Sequence, residues 1–204
     1  LTFEIGSNSD LILENTITGN LEWTIENFGK NGQGYITFPS KFDMVDPLLN
    51  LEHKGRTIIR ISVNPQEIIK KIEFGTSSLE NRIKTINSLK EAGYKVGILV
   101  APVVFLENWE ILYRELFDIL AEKLSQKVKN EMFFEVIFMT YSYIHRMINT
   151  DAFPNAIDLY DKNIMTGRGR GKYCYNSITK EKGEEFLRFE ITKRFPKNKI
   201  MYIV

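Results

Sequence analysis

At 204 residues, with 43% hydrophobic and 26% charged content, the chain is long and apolar enough to bury a core, which excludes a disordered polymer and makes a single domain the simplest arrangement. A formal charge of +1 excludes a uniformly basic surface, so a polyanion has to meet a patch; Gly167-Arg168-Gly169-Arg170-Gly171-Lys172 is the place for one. One cysteine, Cys174, excludes an intrachain disulfide, cannot alone supply the thiolates of an iron–sulfur cluster or structural zinc, and points to a reducing cytoplasm; no apolar run approaches the ~20 residues of a membrane span.

Short runs of β-branched and aromatic residues alternate with longer amphipathic stretches, the rhythm of a parallel βα chain. The spacing predicts a strand over 2–5, followed by Gly6-Ser7-Asn8-Ser9-Asp10 and a helix over 15–28. A strand over 34–38 leads to Lys41, and a strand over 57–63 runs into Asn64-Pro65, a capping residue before a proline that opens the helix over 65–71. Ser77 or Ser78 caps the helix over 79–92, whose Leu79, Ile83, Ile86 and Leu89 recur at helical spacing and which Gly93 closes. The strand over 95–101 is nearly all apolar, as suits a parallel strand covered on both faces. A helix over 109–124, a strand over 132–138, a helix over 141–150, a helix over 180–194 and a strand over 200–204 complete the pattern. The stretch 150–171, with Pro154 and several glycines, is the longest irregular segment and the expected protrusion. Leu1 is not an initiator methionine, so the chain is expected to start inside a larger protein, 1–204 being one domain that forms its C-terminal two thirds.

In α/β barrels the chemistry sits at the C-terminal ends of the strands. Those ends carry Glu4 with Ser7, Ser9 and Asp10, then Lys41, then Ser62 with Asn64, then Ala101-Pro102, with Glu135 inside its strand. A carboxylate, hydroxyls, a cation, an amide and a small apolar ledge fit a zwitterionic amino-acid head, a ribose and a flat base. Each residue also has a plainer reading. Ser9 and Asp10 suit a helix N-cap, Lys41 a solvated loop, and Ser62 and Asn64 the cap of the next helix.

Phe3-Glu4 through Ser9-Asp10, Thr57-Ile58-Ile59-Arg60-Ile61-Ser62-Val63-Asn64, Glu73-Phe74-Gly75-Thr76-Ser77, Ala92-Gly93-Tyr94 with Ala101-Pro102, and Gly171-Lys172-Tyr173-Cys174-Tyr175 together resemble spore photoproduct lyase, a family of radical-SAM DNA repair enzymes. The similarity runs in order to Phe195-Pro196 and Tyr202 and so covers essentially the whole chain. It implies an α/β fold, a partial (β/α)6 TIM-like barrel of the radical-SAM type with a C-terminal β-hairpin at about 165–176. It also implies a lyase that repairs the spore photoproduct thymine dimer in DNA to two thymines by a 5′-deoxyadenosyl-radical mechanism. The cofactors implied are S-adenosylmethionine and a [4Fe-4S] cluster, the partners double-stranded DNA carrying the dimer and a reducing electron donor. The setting implied is a monomer in the cytoplasm of a bacterial spore or germinating cell.

By the same resemblance Ser9 and Asp10 bind S-adenosylmethionine, Lys41 faces its methionine carboxylate, Ser62 and Asn64 lie on the ribose side, and the Ala101 backbone lies near the adenine. The hairpin would wedge into the duplex beside an extruded lesion, with Arg168, Arg170 and Lys172 on phosphates; Tyr173 and Tyr175 would pack on a base or brace the hairpin. Two departures stand out. The cluster motif C-x-x-x-C-x-x-C is absent, so its cysteines are expected upstream, and Ser7 occupies the position of a hydrogen-donating cysteine. A serine O–H is too strong a bond to give up a hydrogen atom readily. Cys174 is read as a small filler at the hairpin base, and His53 and His145 receive no catalytic role. Two other readings remain: a radical-SAM relative with another substrate, and a non-catalytic nucleic-acid-binding α/β module.

Overall fold

The computed structural model describes residues 1–6, 8–154 and 156–204. Six strands form one parallel sheet: β1 (Thr2–Glu4), β2 (Tyr35–Ser40), β3 (Thr57–Val63), β4 (Lys95–Val103), β5 (Phe133–Phe138) and β9 (Ile200–Ile203), side by side in that order. The sheet curls into half a barrel. Between them run α1 (Leu11–Thr18), α2 (Asn20–Asn31), α3 (Gln66–Ile72), α4 (Leu79–Glu91), α5 (Trp109–Lys123), α6 (Gln126–Glu131), α7 (Tyr143–Ala152) and α8 (Ser177–Arg194). Three further strands, β6 (Thr140–Ser142), β7 (Met165–Gly169) and β8 (Lys172–Tyr175), make an antiparallel sheet in the order β6-β8-β7.

Alternation along the strands divides the sheet into two faces. Ile59, Ile61, Val96, Ile98, Phe134 and Val136 are buried on one face, in one core with Ile83, Ile86, Leu116 and Leu120 of the helices. The alternate residues Pro39, Ser62, Leu99, Ala101 and Ile137 face the concave side, where they line a cavity. Covering both faces lets the strands read as almost unbroken apolar runs.

α8 shows how closely the helical layer is fitted. Its mid-helix Gly183 lies where an added Cβ would stand 2.4 Å from the Phe105 ring and 3.0 Å from Phe138. Alanine normally favours a helix interior by about 1 kcal/mol, but a clash of this depth in a filled core costs about 1–3 kcal/mol. Gly183→Ala is therefore expected to lower stability, as thermal unfolding would register; a raised melting temperature would mean that the rings move aside freely.

Four differences from the sequence reading have physical causes. The expected helix over 15–28 is two helices broken at Gly19 (φ 65°), because the buried Asn15 amide caps the second, its Oδ1 accepting from Leu21 N–H at 3.0 Å. Residues 140–142 are not helical but pair with β8, and the helix starts at Tyr143. Ser125 caps a short helix, α6, that polar composition concealed. Pro65, not Asn64, occupies the N-cap position of α3, and the Asn64 side chain turns inward. The protrusion takes the form of the β7–β8 hairpin, whose tip Gly169-Arg170-Gly171 has φ values of 82°, 52° and 68°. Two glycines relieve that left-handed path and leave only Arg170 strained.

Candidate functional site

A cavity of about 490 Å³ opens at the C-terminal ends of β2, β3 and β4, lined by Ser9, Asp10, Lys41, Ser62, Ala101 and Ile137 among others. Asp10 helps to build the rim. Its Oδ1 caps α1 by accepting Ile12 N–H at 3.1 Å and takes the Ser40 hydroxyl at 2.8 Å, while Oδ2 accepts Lys41 N–H at 2.9 Å. The helix-cap reading of Asp10 is thus realised, and the same carboxylate fixes the end of β2. Ser9 is exposed at the cavity edge, and Ser7 lies outside the described residues.

Lys41 is not a solvated loop lysine. Its Nζ donates to Ser62 Oγ at 2.9 Å, to Glu73 Oε1 at 2.7 Å and to the Ala101 carbonyl at 2.8 Å, so all three of its N–H bonds are used. Some 30% of its side chain remains exposed. Burial pulls this ammonium below the ordinary lysine value, and the Glu73 carboxylate opposes the shift. The Ser62 hydroxyl in turn donates to the Ala101 carbonyl at 2.7 Å. Asn64, fully buried, donates to Glu73 Oε1 at 2.7 Å and to the Pro102 carbonyl at 3.0 Å, and accepts the Tyr113 hydroxyl at 3.2 Å. Neither Ser62 nor Asn64 caps a helix.

Glu73 and Arg82 bind this set together, and the sequence reading gave neither a role. Glu73 Oε2 accepts from Arg82 Nη2 at 2.7 Å, and the fully buried guanidinium also reaches the Ser77 carbonyl (2.8 Å), the Ser62 carbonyl (3.0 Å) and Thr76 Oγ1 (2.7 Å). Burial alone would push the Glu73 carboxyl up, but Lys41 and Arg82 outweigh it and hold the group below the usual carboxylate range. A signal for Arg82 was present in the sequence: it falls at helical spacing between Leu79 and Ile86, on the apolar stripe of α4 where an unpaired charge cannot stay.

Glu4, expected at a strand end, and Glu135, expected inside its strand, do not line the cavity. Both are drawn to Arg60, whose Nη1 is 3.2 Å from Glu135 and whose Nη2 is 2.9 Å from Glu4, the latter off the hydrogen-bonding direction. This ion group braces β1, β3 and β5 on the concave face. His53 is structural: it stacks on Tyr94 at 3.9 Å and bonds the Ala92 carbonyl.

A second cavity, about 600 Å³, shares Lys41, Pro102 and Thr140 with the first and is walled by Phe74, Tyr141, His145 and Arg146. The hairpin stands beside it, because Tyr141 pairs with Tyr173. Arg168, Arg170 and Lys172 are exposed, while Tyr173 is half-buried among Tyr141, Tyr143 and Tyr160. Of the two roles open to Tyr175, burial leaves bracing: it is 2% exposed, packs 4.5 Å from Phe105 and accepts Phe105 N–H at 3.0 Å, so it presents no face to a base.

A family model described as spore photoproduct lyase matches residues 1–204. Spore photoproduct lyase of Bacillus subtilis (strain 168) is 35% identical over 204 residues, covering 98% of this chain and 60% of the relative. That of Clostridium acetobutylicum is 34% identical over 206 residues, covering 99% and 60%. A solved spore photoproduct lyase variant with bound AdoMet and dinucleoside spore photoproduct superposes with a TM-score of 0.91 at 31% identity, over 100% of this chain and 61% of that one. The chain thus spans about 60% of the length of the relatives it matches, and the half-barrel with its hairpin is their fold in that span.

Proposed function

Because the chain belongs to the spore photoproduct lyase family, we propose that it forms the cofactor- and DNA-binding part of an enzyme that restores two thymines from the spore photoproduct in double-stranded DNA. The observation that carries the reading is Lys41, an ammonium held at a cavity wall by a hydroxyl, a carboxylate and a carbonyl. Together with the Ser62 hydroxyl, the Ala101-Pro102 ledge and the exposed Ser9, it suits S-adenosylmethionine: cation for carboxylate, hydroxyls for ribose, apolar ledge for adenine. Asn64 supports that wall from behind, with its amide already committed to Glu73 and Pro102. When bound, the cofactor supplies the 5′-deoxyadenosyl group that takes hydrogen from the lesion. The chain's own residues hold the cofactor, keep water from the reacting centre and present the DNA.

A [4Fe-4S] cluster does not fit these residues: Cys174 is the one cysteine, and among the described residues no group of three or more His, Cys, Asp or Glu is placed to hold a metal ion. In this reading Ser7, at the position that the resemblance gives to a hydrogen-donating cysteine, has an O–H too strong to donate readily, and the return of hydrogen is assigned to another group. The reading includes a reducing electron donor and a monomer working in the cytoplasm of a spore or germinating cell.

Arg168, Arg170 and Lys172 at the exposed hairpin serve as phosphate contacts, with the half-buried Tyr173 paired to Tyr141 of the second cavity's wall. Arg168→Ala with Arg170→Ala is expected to weaken duplex binding and to reduce the slope of log affinity against log salt by about 0.9 for each phosphate no longer neutralised. S-adenosylmethionine binding stays unchanged. An unaltered salt slope in a titration series would remove the hairpin from the DNA interface. The activity itself is tested by thymine release from a duplex carrying spore photoproduct, using the anaerobically reconstituted enzyme that contains this chain. Cofactor cleavage without repair would assign another substrate.

A further inference from the structure

The segment 73–77 is tied to the Lys41 loop at more points than the ammonium. Ser77 N–H donates to the Lys41 carbonyl at 3.2 Å, Asp43 N–H donates to Ser77 Oγ at 3.0 Å, and that hydroxyl donates to Asp43 Oδ1 at 2.7 Å. Glu73 itself is buried to 4% side-chain exposure and anchored from behind by Arg82 and Asn64, so it is the least movable of the three acceptors around Lys41. The Ala101 carbonyl is the most dispensable, because Ser62 already satisfies it at 2.7 Å. Resting on the cofactor reading above, we infer that Glu73 is the positioning residue of the site. Its carboxylate keeps the Lys41 ammonium charged and aimed into the cavity, and the ammonium exchanges the Ala101 carbonyl for the carboxylate of the incoming amino-acid head.

The charged groups facing Lys41 are Glu73 beyond α3, Arg82 of α4 and Asp10 at the cap of α1. Removing the Glu73 charge leaves Arg82 opposing the ammonium and Asp10 alone favouring it, so the ammonium gives up its proton at lower pH. A carboxylate ligand is then bound by the protonated fraction only. Binding of S-adenosylmethionine measured by calorimetry across about pH 6.5 to 9.5 tests this, each variant being expressed as a ratio to wild type so that titration of the ligand's own amino group cancels. Glu73→Gln is expected to lose affinity relative to wild type progressively as pH rises, because its Lys41, without the opposing carboxylate, gives up the proton first. Adding Lys41→Arg, which stays protonated, flattens the ratio. Glu73→Asp keeps the charge on Arg82, and with it the fold, but withdraws the carboxylate by one methylene; it weakens binding at every pH without added slope. A Glu73→Gln ratio independent of pH, or wild-type affinity in Glu73→Asp, overturns the inference. Absence of binding by the wild-type protein at every pH overturns instead the cofactor reading on which it rests.

Discussion

Arg82→Met lowers the unfolding free energy by about 3–5 kcal/mol, the cost of breaking a buried ion pair from one side. The guanidinium is fully buried and feeds four acceptors; without it the Ser62 and Ser77 carbonyls and Thr76 Oγ1 lose their donor, and Glu73 keeps Lys41 and Asn64 alone. Urea unfolding measures the loss directly, and a change below about 1 kcal/mol would mean that water replaces the guanidinium. The deficit carries a pH signature. Glu73 is depressed from its ordinary value of 4.5, so its contribution is complete above that pH and disappears as pH falls through the lower folded value. The gap between wild type and variant is therefore widest near neutrality and narrows in acid, where a protonated Glu73 no longer needs a cation.

Lys41→Ala is expected to reduce S-adenosylmethionine affinity by about ten- to a hundredfold, which is what one hydrogen bond to a charged group contributes. The fold survives this change better than the loss of Arg82, because Glu73 retains its buried guanidinium. Lys41→Arg alone does not restore binding fully: a planar fork cannot reach three acceptors at 2.7–2.9 Å arranged around a point charge. Calorimetric titration distinguishes the outcomes. Unchanged affinity in the alanine variant would mean that the cofactor carboxylate is held elsewhere than at Lys41.

Much of the fold was legible in the sequence because a parallel strand covered on both faces has a strong local signature, and 57–63 and 95–101 carry it. The α/β fold expected there, a partial barrel of the radical-SAM type with a terminal hairpin, is the one found. What escaped depends on contacts distant in sequence. β6 is a strand because β8, some thirty positions on, supplies its hydrogen bonds, and α1 ends early because Asn15 reaches past Gly19 to cap the next helix. In the site, Lys41, Ser62 and Ala101 could be named from their places at strand ends, but Glu73 could not, because it lies in the loop after α3 and meets Lys41 from 32 positions away. Tyr175 is a related case: beside basic residues both stacking on a base and bracing were open to it, and the rings that bury it, Phe105 and Phe138, come from distant parts of the chain.

Strand order equals chain order from β1 to β5, so the first five strands can zip together one after another, each closing only the short loop of its own crossover. β9 breaks that economy. It must find β5 after the whole stretch 139–199 has been made, including the hairpin sheet and α8. During synthesis the outer edge of β5 therefore stands open, its unpaired N–H and C=O groups on offer to other chains, until β9 emerges and covers it.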